Sequence, residues 1–110
     1  MLNPKLDQPK ILTIEEVQAA LNELIGGEYT IQKQSSDELG NLYYLDVVVT
    51  DERLKGESQA EKIEYTYARE GAYPESQSEY TVIMRTEYYG GVPYAEELIK
   101  YIDGKWIVLN

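Results

Sequence analysis

Only one amphipathic stripe in this chain is written without a competing reading. Ile14, Val17, Leu21, Leu24 and Ile25 recur at the intervals that gather apolar side chains on one face of a helix. In front of them, Thr13-Ile14-Glu15-Glu16 fits a capping box, the threonine oxygen taking a free N–H while Glu16 reaches back. Gly26-Gly27 closes the segment, because glycine tolerates the left-handed cap conformation. Ala20 beside the stripe leaves room for a close neighbour, and Gln18, Asn22 and Glu23 belong to water. A helix of this kind must cover something apolar.

Beyond Gly27 the chain reads as strand. Residues 28–34, 41–50, 61–70 and 79–89 carry strand patterning, separated by a polar loop at 35–40, a charged connection at 51–60 and a Pro74-bearing loop at 71–78. Gly90-Gly91 reads as a tight turn, and Asp103-Gly104 fits a type I′ hairpin between Tyr101-Ile102 and Lys105-Trp106. Residues 92–102 also suit a helix begun at Pro93, but Val92 is a poor N-cap and the Asp-Gly turn asks for two strands to join. The expectation is therefore an α+β domain, with one N-terminal helix packed on a curved antiparallel meander sheet of five or six strands. Residues 1–10, with two prolines and no apolar run, read as a flexible N-terminal segment before a single domain at 11–110. Read as a native start, they hold no secretory signal, which points to the cytoplasm.

Composition closes most chemistry. The 110 residues include no histidine and no cysteine. Ser–His–Asp and Cys–His nucleophilic sites are thus excluded, as are zinc or copper sites of ordinary ligand type. No phosphate-binding glycine loop and no calcium-loop spacing occurs, so no cofactor, metal site or catalytic nucleophile is expected. The net charge of −10 is spread along the chain, with no acidic tail and no basic stripe. Its sign disfavours nucleic acid and anionic lipid, and no apolar run is long enough for a membrane span.

There are 11 tyrosines and no phenylalanine. A phenol buries a ring while keeping a hydroxyl that wants a partner, which suits half-wet sheet surfaces. If Tyr43, Leu45, Val47 and Val49 face the helix, then Leu42, Tyr44, Asp46 and Val48 show on the reverse side. Ile83, Arg85 and Tyr89 are expected on the reverse side of their own strand, opposite Tyr80, Val82, Met84 and Tyr88. Either the sheet curls to cover both sides, or a second copy packs sheet to sheet. Asp46 interrupts the most apolar strand. It either pairs with Arg85 or water on the outer face, or is desolvated with a raised pKa, able to act as a base near phenols.

The closing run Tyr101-Ile102-Asp103-Gly104-Lys105-Trp106-Ile107-Val108, with one helix backing a meander, resembles the cystatin-like and nuclear transport factor-like cone folds. That resemblance covers the octapeptide and the order of elements. It implies a ligand pocket between helix and sheet and dimerisation through the sheet, and carries over no catalytic residue. The leading expectation is a non-enzymatic protein that binds a protein partner, a basic one such as a toxin or nuclease to be masked, or a second copy of itself. Candidate binding residues are Tyr44, Asp46, Tyr65, Tyr67, Arg85, Tyr88 and Tyr89. The alternative is a small-molecule binder or isomerase whose pocket holds Tyr65, Tyr67, Met84 and Tyr88. A third reading is a structural homodimeric subunit.

Overall fold

The computed structural model describes residues 12–39, 41–71 and 80–109; the expected flexible segment at 1–10 and most of the 71–78 loop lie outside them. Helix α1 (Ile14–Ile25) begins at a complete capping box on Thr13 and ends at Gly26 in the left-handed conformation, φ 66°. Six strands come after it: β1 (Tyr29–Ser36), β2 (Leu42–Val49), β3 (Lys62–Ala68), β4 (Thr81–Tyr89), β5 (Val92–Ile102) and β6 (Lys105–Val108). They form one antiparallel sheet in the order β1-β2-β3-β4-β5-β6, with β1 and β6 at its edges. Residues 92–102 are strand, and Asp103-Gly104 turns with φ of 51° and 81°, as a type I′ hairpin requires.

The expectation of a single helix is corrected. A second, α2 (Glu52–Ser58), occupies the charged connection between β2 and β3. It has no continuous apolar stripe and depends on its cap. Asp51 Oδ1 accepts from the Arg53 and Leu54 N–H groups, while Oδ2 accepts from Glu28 N–H at 3.2 Å, tying the cap to the start of β1. Those N–H groups, that of Glu28 foremost, hold the Asp51 carboxyl below its usual range. Gly27 makes the approach feasible, since a Cβ there would stand 2.6 Å from both Asp51 Oδ2 and Leu54 Cδ1.

Val17, Leu21 and Ile25 of α1 bury against Leu42, Leu45, Val47 and Val49 of β2, Ile63, Tyr65 and Tyr67 of β3, Ile83 of β4 and Ile99 of β5. Leu54 of α2 joins the same side. Two placements on the sheet differ from the simple alternation. Tyr65 faces Arg85 and Tyr67 faces Ile83 across the β3–β4 ladder, so Ile83, Arg85 and Tyr89 lie on the helix side, and Val82, Met84 and Tyr88 on the other. Because β4 is apolar at both parities, its period could not choose a side; packing did. Leu42 is fully buried in the main core and not on the reverse side. A register shift pairs Ser35 with Tyr44 and Ser36 with Leu42, and the extra residue, Tyr43, flips the strand's parity there.

Tyr67 shows the consequence of having no phenylalanine. Its ring is fully buried, its hydroxyl oxygen has no hydrogen-bond partner among the described residues, and burial pushes its pKa up to about 12. Tyr67→Phe is expected to raise stability by about 1 kcal/mol, because an unsatisfied buried hydroxyl costs more than an apolar edge. A rise in the urea midpoint with an unchanged slope would show it. A fall would mean that the hydroxyl is hydrogen-bonded in solution.

Candidate functional site

The seven residues singled out from the sequence divide between the two faces of the sheet. Tyr44, Asp46 and Tyr88 lie on the face turned away from both helices, whereas Tyr65, Tyr67, Arg85 and Tyr89 lie on the helix side. Asp46 therefore cannot pair with Arg85, and Tyr65 and Tyr67 cannot line one pocket with Met84 and Tyr88. Strand alternation puts those sets on opposite faces.

On the open face Asp46 has a partner the sequence did not suggest. Asp46 pairs in register with Thr66, and Glu64 with Val48, so the two acids are diagonal neighbours on one face of β2 and β3. A shift in β1 between Ile31 and Lys33 sets two residues against one on β2. That extra residue is Gln32, whose Nε2 donates to Asp46 Oδ2 at 3.2 Å and to Glu64 Oε2 at 2.9 Å. Tyr88 Oη donates to Glu64 Oε1 at 3.0 Å, and Lys62 Nζ stands 3.6 Å from Glu64 Oε2. Asp46 Oδ1 is shut off from water with no hydrogen-bond donor among the described residues.

The two carboxyls separate in acidity. Burial, then the hydrogen bond with Glu64 and its charge, pushes Asp46 up to about 7, against the smaller pull of Lys62 and Gln32. Burial raises Glu64 too, but hydrogen bonds from Asp46 and Tyr88, with the Lys62 charge, bring it below its usual range. Below about pH 7 Asp46 thus keeps a proton that Glu64 gives up more readily, which relieves the repulsion two bare carboxylates would feel. Aromatic rings flank it. Lys33 Nζ lies 5.4 Å from the Tyr44 ring centroid and Lys62 Nζ 5.3 Å from that of Tyr88, both cation–π distances.

On the helix side, Arg85 Nε donates to Tyr65 Oη at 3.1 Å, and the Arg85 guanidinium pairs with Glu87. The Tyr89 hydroxyl donates to the same Glu87, which it and Arg85 hold below the usual carboxylate range despite some burial. This network borders a pocket of about 250 Å³ between the end of α1, α2 and the sheet. Ile25, Val49, Leu54, Ile63 and Tyr65 form its apolar lining, with Glu57, Ser58 and Arg85 as its polar groups. Of the four residues expected in a pocket, Tyr65 alone lines it. The sheet separates the pocket from the Asp46–Glu64 pair, so the acid with the displaced pKa does not face the cavity.

Sequence reasoning missed Gln32, Lys62 and Glu64. Only their polar alternation was visible, and nothing local says which acid of β3 stands beside Asp46. Among the described residues no group of three or more acids converges as a metal ion would need, and no helix is long and apolar enough to cross a membrane. No known protein family, no curated protein and no solved structure matches this chain.

Proposed function

We infer that the protein acts by binding, and that its partner is a basic protein docked beside Asp46 and Glu64 on the sheet face away from the helices. One observation carries this reading. Asp46 Oδ1 is sealed from water with no donor among the described residues, beside a second carboxylate, on a face that neither helix covers. A guanidinium or ammonium from a partner would supply the opposite charge at the half-buried edge of this carboxyl pair. The rings of Tyr44 and Tyr88 suit the same group, as their contacts with Lys33 and Lys62 illustrate. A net charge of −10 adds long-range attraction for a basic surface. An inhibitor or immunity protein that masks a basic toxin is the concrete form. The sheet stands between the carboxyl pair and the pocket beside α2, so a molecule in that pocket would not meet Asp46.

Docking a cation there expels the proton from Asp46, so association should tighten as pH rises through about 7. The test is a titration of isotope-labelled protein with an arginine-rich peptide near pH 6 and pH 8. Amide shifts should centre on Gln32, Asp46 and Glu64, with affinity higher at the upper pH and weakened by salt. The double variant Asp46→Asn/Glu64→Gln, which leaves the remaining acidic surface intact, should bind about tenfold less tightly. Binding indifferent to that variant would reduce the effect to general charge attraction and end this reading.

A further inference from the structure

Strand β5 is covered on both sides for only part of its length. Strand β6 pairs with it over Ile99–Ile102, and Leu109 N–H adds a bond to Leu98 C=O. From Val92 to Glu97 it pairs with β4 on one side, no described strand lies on the other, and all six residues are exposed.

The turn before it decides which backbone groups face outward. Gly90-Gly91, both at positive φ, make a two-residue turn whose closing pair is Tyr89 and Val92. Alternate residues Val92, Tyr94 and Glu96 then turn their N–H and C=O toward β4. Ala95 and Glu97 turn both groups outward, and Pro93 a carbonyl alone. The missing N–H of Pro93 falls on the open flank, so the proline costs the ladder nothing.

This flank is held in place and has a defined chemistry. The Glu61 carboxylate accepts from Gly90 N–H at 2.7 Å and Gly91 N–H at 3.3 Å, which fixes the hairpin tip. Tyr89, Val92 and Tyr94 are 41%, 50% and 61% exposed, the two rings meeting edge to face at 5.8 Å. Of the acids along it, Glu87 pairs with Arg85 and Glu97 stands 3.8 Å from Lys100 Nζ, while Glu96 lies exposed on the flank.

We propose that the free edge of β5 from Val92 to Glu97 receives an added β-strand from a basic, extended segment of a partner protein. The proposal rests on the reading that the partner is basic and names where its backbone docks. A second copy pairing edge to edge would bring together two chains that each carry a net charge of −10, and that repulsion disfavours it. A strand alternating basic and apolar side chains sets its apolar groups on the face of Val92 and Tyr94 and its positive charge on the opposite face, beside Glu97. The outward groups of Ala95 and Glu97 supply the main-chain bonds.

The experiment titrates the labelled full-length protein with an alternating lysine–valine peptide. Two controls accompany it, the same peptide N-methylated at alternate residues and a glutamate–valine peptide. Shifts at Ala95 and Glu97, slowed exchange of the Ala95 N–H, about tenfold weaker binding of the N-methylated peptide and none of the acidic one are expected. Ala95→Pro, which removes an N–H that β4 does not use, should also cost about tenfold. If that variant disturbs the hairpin, the N-methylated comparison decides alone. Shifts confined to Gln32, Asp46 and Glu64 would overturn the edge while leaving the basic-partner reading standing. No binding at either place would sink both. Shifts across 92–97 that follow protein concentration without peptide would give the edge to a second copy and overturn the proposal.

Discussion

Leu45→Ala is expected to lower the stability of the fold by about 3 kcal/mol, the usual size for a large-to-small change at a buried core position. Leu45 is fully buried at the middle of β2, opposite Tyr67 of β3 and within the cluster that α1 covers with Val17, Leu21 and Ile25. Its side chain is shared between sheet and helix, so the cavity left behind cannot be closed by one element shifting alone. For a domain of this size the change corresponds to a fall in melting temperature of roughly 12–15 °C. Leu39→Ala, at a position 87% exposed, should leave the midpoint almost unmoved. Chemical denaturation followed by Trp106 fluorescence compares the two. A loss below about 1 kcal/mol for Leu45→Ala would mean that the helix does not press on the centre of the sheet.

The second large effect is one of pH. The Asp46 carboxyl stands at about 7 in the folded chain against 3.8 for an unperturbed group. Between those values the folded state holds a proton that the unfolded chain has released, so stability is fully present below about pH 4 and is lost as pH rises toward 7. The displacement would be worth about 4 kcal/mol for a sealed site. Asp46 is partly solvated and shares its proton with Glu64, so about 1–2 kcal/mol is the realistic size. Asp46→Asn removes the titration. It should unfold like the parent near pH 4.5 and exceed it by about 1–2 kcal/mol near pH 8, read from urea midpoints at constant salt. Asp37, Asp51 and Glu87 are all held below their usual range, so their contributions are lost only as pH falls under that range, outside this window. Parallel pH profiles for parent and variant would mean that no proton is shared at Asp46. The same substitution should weaken the proposed partner contact, an ordinary opposition between a site's stability and its use.

The parts of the fold that were legible were those whose cause is local. The capping box at Thr13, the stripe on α1 and the left-handed residues at Gly26, Asp103 and Gly104 each arise within a few residues of sequence. Strand β5 was readable despite Pro93 because the Asp-Gly turn demanded a strand before it. Helix α2 was not readable, since seven residues interrupted by Gly56 have little helical preference of their own. It forms because Asp51 caps it while also holding Glu28, a contact across 23 residues that Gly27 leaves room for. Asp46 could be picked out as an acid in an apolar strand. Its companions could not, because Glu64 reaches it through strand register and Gln32 through a bulge.

The sequence by itself determined that one helix opens the chain, that strands come next with the last three joined by tight glycine turns, and that histidine and cysteine chemistry is closed to it. Only the tertiary structure decided which face each strand turns to the helix, and so which tyrosines and acids meet. Side-chain alternation has a period of two, and a single inserted residue reverses it. The insertions at Gln32 and Tyr43, and the choice of face on the doubly apolar β4, are settled when the sheet docks on α1. That docking sends Arg85 to the pocket side and leaves Asp46, with Glu64, on the face away from both helices.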